Sequence, residues 1–159
     1  MSTIRQVLGL ALSVAICFAA AGVGSLFTRA AIEGWYAALQ KPSWTPPSWV
    51  FGPVWTVLYL AMATAAWLVW RRAGFAGARL PLTLFALQLV LNLVWTGVFF
   101  GLQMPGAAFA EIGLLWLFIL VTAIAFWPIS RVAAWLMVPY LVWVAYAATL
   151  NYGIWRLNA

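Results

Sequence analysis

Five long apolar segments, separated by short charged or turn-forming stretches, constrain this chain more than any other feature of its sequence. They cover residues 6–28, 48–70, 80–102, 105–127 and 132–155. A transmembrane α-helix needs about 20 predominantly apolar residues, and each segment is of that length. In lipid, only helices and closed barrels satisfy every backbone N–H and C=O group. The segments therefore predict an all-α integral membrane bundle of five transmembrane helices, built as a single domain over residues 1–159.

The first segment also has a second interpretation. Arg5 precedes it and Ala19, Ala20 and Ala21 are small, as in a cleaved signal peptide. The apolar run is longer than a typical signal core, which favours a retained helix. The whole chain is 67% hydrophobic and 6% charged, whereas a typical soluble domain is roughly 45–50% and about 25%. A soluble chain this small could not bury so much apolar surface.

The eight basic residues lie between the apolar segments rather than on one face. This is the pattern of membrane topology and not of a phosphate-binding surface, so no nucleic-acid partner is expected. On the side of the N-terminus lie Arg5, Arg71, Arg72, Arg79 and Arg131, and on the other side lie Arg29, Lys41 and Arg156. The bias predicts that the N-terminus is inside and favours a bacterial cytoplasmic membrane.

Missing residue types exclude several kinds of chemistry. The chain has no His, and Glu33 and Glu111 are its only acids. A His-based triad, imidazole-ligated haem or zinc, and a paired-carboxylate mechanism are therefore not expected. Cys17 has no second Cys with which to form an intrachain disulfide. We expect no metal site and no required cofactor, and these absences argue against an enzyme.

Residues 35–47 are rich in aromatic residues and proline. Pro42, Pro46 and Pro47 favour an extended, stiff backbone. Aromatic side chains such as Trp44 could simply form an interfacial belt, but a belt does not require a fixed backbone. We expect this first loop to be a structured lid over an apolar cavity.

Aromatic and amide side chains recur at helical spacing inside three of the apolar segments, where they could form the walls of that cavity. Helix packing and interhelical hydrogen bonding are the alternative interpretation, above all for the two amides. The predicted ligand-binding residues are Trp44, Phe51, Trp55, Tyr59, Gln88, Asn92, Trp95, Trp143, Ala147 and Leu150.

Three weaker patterns complete the analysis. Glu111 lies about 9 Å along its helix; an acid at such a place is a candidate for proton handling, although a helix N-terminus also favours negative charge. Gly97 and Gly101 form a GxxxG pattern, which predicts close helix approach or a dimer contact. The series Leu150, Tyr152 and Arg156 fits a short sterol-binding pattern that is common by chance.

Several short motifs occur together and in a fixed order. They are WY at 35–36, KPSWTPP at 41–47, VWTVLY at 54–59, QLVLN at 88–92, FFG at 99–101, VPYLVW at 138–143 and LNY at 150–152. With these motifs the chain resembles the translocator protein family, also called tryptophan-rich sensory proteins (TspO/MBR). The resemblance covers essentially the whole chain.

The resemblance implies a five-helix bundle, commonly a homodimer, whose cavity opens toward the first loop and binds tetrapyrroles such as protoporphyrin. Animal members also bind cholesterol and drug-like ligands, and some members occupy outer membranes. Trp55 and Trp143 match pocket tryptophans of bacterial members that are implicated in light-driven porphyrin breakdown. Pocket-lining positions of the family are also matched by Phe51, Tyr59, Asn92, Ala147 and Leu150. Animal members have Trp where this chain has Ala107, which weakens the expectation of drug-like ligands.

The leading hypothesis is therefore a membrane receptor or carrier with a sensory or transport role, which binds tetrapyrroles in a Trp-lined cavity, with sterols or other lipophilic molecules as a second candidate ligand class. A basic residue such as Lys41 or Arg29 could meet a propionate at the cavity mouth, and the absence of His favours a metal-free ring. One alternative is light-dependent oxidative degradation of porphyrin by Trp55 and Trp143. The other is a small coupled transporter that uses Glu111.

Overall fold

The computed structural model describes residues 2–159, which form helices joined by turns. The helices are α1 (Thr3–Ile32), α2 (Trp35–Ala38), α3 (Phe51–Gly77), α4 (Arg79–Thr96), α5 (Pro105–Phe126) and α6 (Arg131–Leu157). A 3₁₀ turn, Ser48–Val50, leads into α3, and a π-helical turn, Gly97–Gly101, extends α4. All except the short α2 are long and apolar enough to cross a membrane. The predicted bundle of five transmembrane helices is confirmed.

The helix ends differ from the apolar segments for local reasons. α1 begins before residue 6 because Ser2 caps it, its hydroxyl accepting a hydrogen bond from the backbone N–H of Arg5 at 3.4 Å. α3 continues past Arg71 and Arg72, because long basic side chains can direct their charges outward from a helix. The stretch between the second and third apolar segments, residues 71–79, is helical except for Ala78, the single turn residue between α3 and α4.

Within that last stretch of α3, Gly74 has φ 64° and ψ −176°. This backbone region is open essentially to glycine alone. The irregular residue redirects the end of α3 before the chain enters α4, so a glycine is required at this position.

Close packing between neighbouring helices holds the bundle together. α5 packs against α4 and α6, α1 packs against α3, and α3 packs against α6. Met62, Ile112, Ile119 and Met137 are fully or almost fully buried at these contacts. In lipid there is little hydrophobic gain from bringing helices together, so close packing and interhelical hydrogen bonds decide how they associate. One such bond runs from the Ser13 hydroxyl to the carbonyl of Ala63, at 2.7 Å.

The first loop lies against the end of the bundle where α6 finishes. Gln40 and Asn158 exchange two hydrogen bonds, of 3.0 and 2.8 Å. Pro42 is buried, and a Cβ atom added at Gly153 would overlap its ring, so α6 and the loop are in direct contact there. These contacts fix the loop to α6, while its action as a lid remains a prediction.

Replacing Gly74 with Ala should destabilise the bundle by about 1–3 kcal/mol, because a Cβ atom is strained at this φ and ψ. The thermal midpoint of the purified protein in detergent would measure this. Gly113→Ala is the matched control: nothing lies within 4 Å of an added Cβ atom there, and Ala is the better helix former. Equal midpoints for Gly74→Ala and the unmodified chain would contradict the prediction.

Candidate functional site

A cavity of about 140 Å³ lies at the end of the bundle that carries the first loop. Its walls come from the last turns of α1, the first turns of α3, the end of α4 with its π-helical turn, and the last turns of α6. The lining residues are Thr28, Ile32, Tyr36, Ser48, Phe51, Trp55, Trp95, Phe99, Phe100, Trp143, Ala147, Leu150, Asn151 and Ile154. Aromatic rings therefore dominate a cavity that four spanning helices share.

Several predicted ligand-binding residues meet in this cavity, namely Phe51, Trp55, Trp95, Trp143, Ala147 and Leu150. Phe51 and Trp143 contact edge to face, with ring centroids 5.9 Å apart. The indole N–H of Trp143 is shielded from solvent and has no hydrogen-bond partner. A buried donor without a partner is costly.

Trp95 is held in place by a residue that sequence analysis did not include in the site. Its indole N–H donates to Oδ1 of Asn151 at 3.0 Å, and Nδ2 of Asn151 donates to the carbonyl of Pro105 at 2.7 Å. The Trp95 ring also stacks on Phe99, with centroids 5.4 Å apart. Asn151 thus connects α4, α5 and α6 at the cavity wall, and both polar atoms of its amide have a partner within the protein.

Three predicted ligand-binding residues do not line the cavity and lie deeper in the bundle, namely Tyr59, Gln88 and Asn92. Oδ1 of Asn92 accepts a hydrogen bond from the Tyr59 hydroxyl at 2.8 Å, and its Nδ2 donates to the Tyr140 hydroxyl at 2.9 Å. Asn92 therefore bridges α3, α4 and α6. Nε2 of Gln88 approaches only the sulfur of Met62, at 3.9 Å, and its Oε1 atom has no partner. For Asn92, hydrogen bonding between helices explains the buried amide.

Trp44 also lies outside the cavity lining. The residue is 53% exposed, its indole N–H donates to Oγ1 of Thr149 at 3.3 Å, and its carbonyl accepts from the Tyr146 hydroxyl at 2.6 Å. Trp44 therefore joins the first loop to the outer face of α6 instead of presenting a ring to the cavity.

Sequence analysis missed several lining residues because of irregular backbone. The π-helical turn is closed by a hydrogen bond from the N–H of Leu102 to the carbonyl of Gly97, at 2.8 Å. An i→i+5 bond shifts the side chains that follow away from their α-helical positions, and both Phe99 and Phe100 line the cavity. Asn151 could have been identified, because it follows Trp143 at i+8 on the same helical face.

Tyr36 brings the first loop into the cavity wall. Burial raises the pKa of its phenol above the usual value of 10.0, so the ring stays neutral at physiological pH. The Lys41 ammonium lies 4.7 Å from the centre of that ring and donates to the carbonyl of Leu39 at 3.1 Å. Lys41 thus places a positive charge beside the cavity, while Arg29 is exposed near the end of α1. Contact of either residue with a propionate remains a prediction.

Glu111 does not line this cavity. Both oxygens of its carboxyl group are shielded from solvent and neither has a hydrogen-bond partner. Within α5 the side chain is therefore an unusual buried acid, and its part in coupled transport remains a prediction.

The structure shows the surroundings of two of the weaker patterns. A Cβ atom on Gly101 would lie 3.0 Å from Cδ1 of Phe27, so this glycine serves packing against α1 within the same chain, whereas Gly97 faces open space. Both glycines line one groove beside α1, and Gly101 provides the close helix approach; the dimer contact remains a prediction. In the sterol pattern, Leu150 is buried at the cavity, but Tyr152 and Arg156 are exposed on the opposite side of α6. One ligand surface does not contain all three.

Comparison with known proteins relates the whole chain to one family. The sequence model of the TspO/MBR family matches residues 13–156. The Tryptophan-rich protein TspO of Chlorobaculum tepidum is 44% identical over 158 residues, which cover 97% of this chain and 98% of that protein. The Translocator protein of Homo sapiens is 45% identical over 138 residues, 86% of this chain and 82% of that protein. The Tryptophan-rich sensory protein of Cereibacter sphaeroides is 41% identical over 145 residues, 91% of this chain and 88% of that protein.

Asn92 and Gln88 are one helical turn apart, but their substitution should have different effects. Asn92→Leu removes two hydrogen bonds and leaves two buried hydroxyls without partners, so we expect a loss of about 1–3 kcal/mol in unfolding free energy. Gln88→Met removes an amide whose Oε1 atom has no partner, so it should be neutral or stabilising. Thermal unfolding in detergent measures both. Similar losses of unfolding free energy in the two variants would contradict the prediction that the hydrogen bonds of Asn92 stabilise the bundle.

Proposed function

The chain belongs to the TspO/MBR family, and we propose that it is a membrane receptor or carrier that binds tetrapyrroles of the protoporphyrin IX type. The observation that carries the proposal is the cavity in which Trp55, Trp95 and Trp143, from three spanning helices, meet beneath the first loop. The names of the relatives, which refer to translocation and to sensing, fit a protein that binds a ligand rather than one that transforms it.

The chemistry of the lining suits a flat, apolar ring system with a few polar atoms. Aromatic pairs contribute about 0.5–1.5 kcal/mol each beyond the burial of their area. The free indole N–H of Trp143 can donate to a ring nitrogen or a carboxylate. The Lys41 ammonium, beside the lining residue Tyr36, can meet the acidic edge of the same ligand. Sterols and other lipophilic molecules could pack against the same apolar lining, but they have fewer polar atoms to bond with Trp143 and Lys41.

The size of the cavity requires a change of shape on binding. It measures about 140 Å³, whereas sites for drug-sized ligands measure roughly 300–1,000 Å³. The first loop is the part that can move, because it is joined to α6 through exposed hydrogen bonds at Gln40 and Trp44. Exposed bonds can exchange with water at little cost. In this proposal the loop is the lid, and it opens to admit the ligand.

A second candidate function is light-dependent oxidative degradation of the bound porphyrin. Trp55 favours it, because this lining residue is in ring contact with Tyr59 and Tyr140, at centroid distances of 5.7 and 6.1 Å. Trp and Tyr are the side chains of this site that can be oxidised. A new absorbing product that forms in light and not in darkness, and is lost in Trp55→Phe or Trp143→Phe, would distinguish this activity from binding alone.

Removing two cavity tryptophans should weaken tetrapyrrole binding. For the double variant Trp55→Ala, Trp143→Ala we expect at least a tenfold higher Kd for protoporphyrin IX, because both ring contacts and the free donor are lost. Titration of the purified protein, followed by quenching of Trp fluorescence in darkness, measures the Kd. Trp135→Ala is the control, since this α6 ring is 62% exposed and outside the cavity. Unchanged affinity in the double variant would refute the proposed site.

Loosening the first loop should speed release of the ligand. Pro46→Gly with Pro47→Gly makes the loop backbone more flexible, and Tyr146→Phe removes the hydrogen bond to the Trp44 carbonyl. We expect a severalfold higher dissociation rate of protoporphyrin IX from each variant, measured by stopped-flow displacement. Thr83→Val, exposed on α4, is the control. Equal release rates throughout would show that the loop does not control access.

A further inference from the structure

A second and larger cavity, of about 480 Å³, lies at the opposite end of the bundle. It is an elongated groove between α1, α3 and α4, and we call it the α1–α3–α4 groove. Gly9 and Leu12 of α1, Trp67 and Trp70 of α3, and Phe85 and Ala86 of α4 are among the residues that line it. It shares no lining residue with the cavity beneath the first loop.

The shape of the groove depends on specific contacts. Trp67 donates its indole N–H to the carbonyl of Gln6 at 3.0 Å, which fixes α3 against α1. A Cβ atom at Gly9 would overlap the Trp70 ring, so only a glycine lets that ring lie against α1. The irregular backbone at Gly74 is followed by Phe75, which also lines the groove, with its ring centroid 5.9 Å from that of Trp70. These contacts fix two walls and one end of the groove.

The interior of the groove is apolar. Among its described lining residues, Ser13 is the one with a hydroxyl or amide side chain, and its hydroxyl already donates to the carbonyl of Ala63 at 2.7 Å. A polar ligand would therefore find few hydrogen-bond partners inside the groove. A hydrocarbon chain needs no hydrogen bonds, so this interior suits it.

The mouth of the groove, unlike its apolar interior, is positively charged. Arg5 lines the groove, and the Arg71 guanidinium lies 4.9 Å from the centre of the Trp67 ring. Arg72, Arg79 and Arg131 lie at the same end of the bundle. The two acids are elsewhere, since Glu33 follows α1 at the first-loop end and Glu111 lies in the half of α5 that is nearer to that end. Within residues 2–159, no acidic side chain supplies a counter-charge for these arginines.

We propose that the α1–α3–α4 groove retains an anionic phospholipid, with one acyl chain along the apolar interior and the phosphate against Arg5 and Arg71. An anionic lipid supplies both the apolar chain and the missing negative charge. Basic pockets between membrane helices bind such head groups, and each nearby Arg or Lys contributes about 1 kcal/mol, which corresponds to about fivefold in affinity. A zwitterionic lipid carries the same chain without net charge, so it should bind more weakly.

Native mass spectrometry of the full chain in detergent tests the proposal. Palmitoyl-oleoyl phosphatidylglycerol is compared with the phosphatidylcholine of identical chains. We expect one phosphatidylglycerol to bind in a saturable manner, at least fivefold more tightly than phosphatidylcholine. Equal affinities, or several indistinguishable copies of each lipid, would reduce the groove to ordinary annular contact and overturn the proposal.

Two matched pairs of variants locate the binding site. Ala86→Trp fills the groove from an exposed position and should abolish the saturable copy, whereas Ala145→Trp, exposed on α6 and outside every cavity described, should retain it. Arg5→Gln should lower phosphatidylglycerol affinity about fivefold and leave phosphatidylcholine unchanged, whereas Arg131→Gln removes the same charge at the same end and should leave both unchanged. Each variant is compared only if its thermal midpoint lies within 3 °C of that of the unmodified chain. Equal effects within either pair would overturn the proposal, because they would show a general surface effect.

Discussion

The amide of Asn92 is the contact on which the arrangement of the spanning helices depends. It accepts from Tyr59 on α3 and donates to Tyr140 on α6, so one side chain of α4 fixes three helices relative to each other. In water, burial of apolar surface would bring the helices together, but in lipid that term largely vanishes and polar bonds with close packing take its place. The bridge lies just below the cavity, because Trp55 contacts both tyrosine rings. The floor of the site is therefore also a structural joint of the bundle.

The last turns of α6 have a similar role at the cavity mouth. They supply Trp143, Ala147 and Leu150 to the lining, they hold Trp95 through Asn151, and their outer face receives the first loop through Thr149 and Tyr146. One helix thus presents a cavity wall on one side and an anchoring surface for the loop on the other. The position of the loop and the shape of the cavity are therefore connected through α6.

Much of this was readable from the sequence, and the limits have physical causes. Apolar length alone predicts the spanning helices, because lipid leaves no other way to satisfy the backbone. Helical spacing places Phe51, Trp55 and Tyr59 on one face of α3. It does not show how far along the helix the cavity extends, so it could not predict that Tyr59 lies below the cavity. For the same reason Asn92 and Gln88 looked equivalent, although only Asn92 has hydroxyl partners on two other helices. The π-helical turn at Gly97–Gly101 has no simple sequence signature, and it determines where Phe99, Phe100 and Gly101 point.

The hydrogen bonds between the first loop and α6 also have a consequence for how the protein is made. Gln40 and Asn158 are separated by 118 positions in the chain, and Trp44 and Tyr146 by 102. At about 5–20 residues per second, a ribosome completes α6 on the order of 5–20 s after the loop has emerged. During that interval the loop lacks its hydrogen-bond partners on α6, and the cavity lacks the wall that Trp143, Ala147 and Leu150 provide. The cavity beneath the first loop is therefore among the last parts of the protein to form, and it is complete only when the final helix is in the membrane.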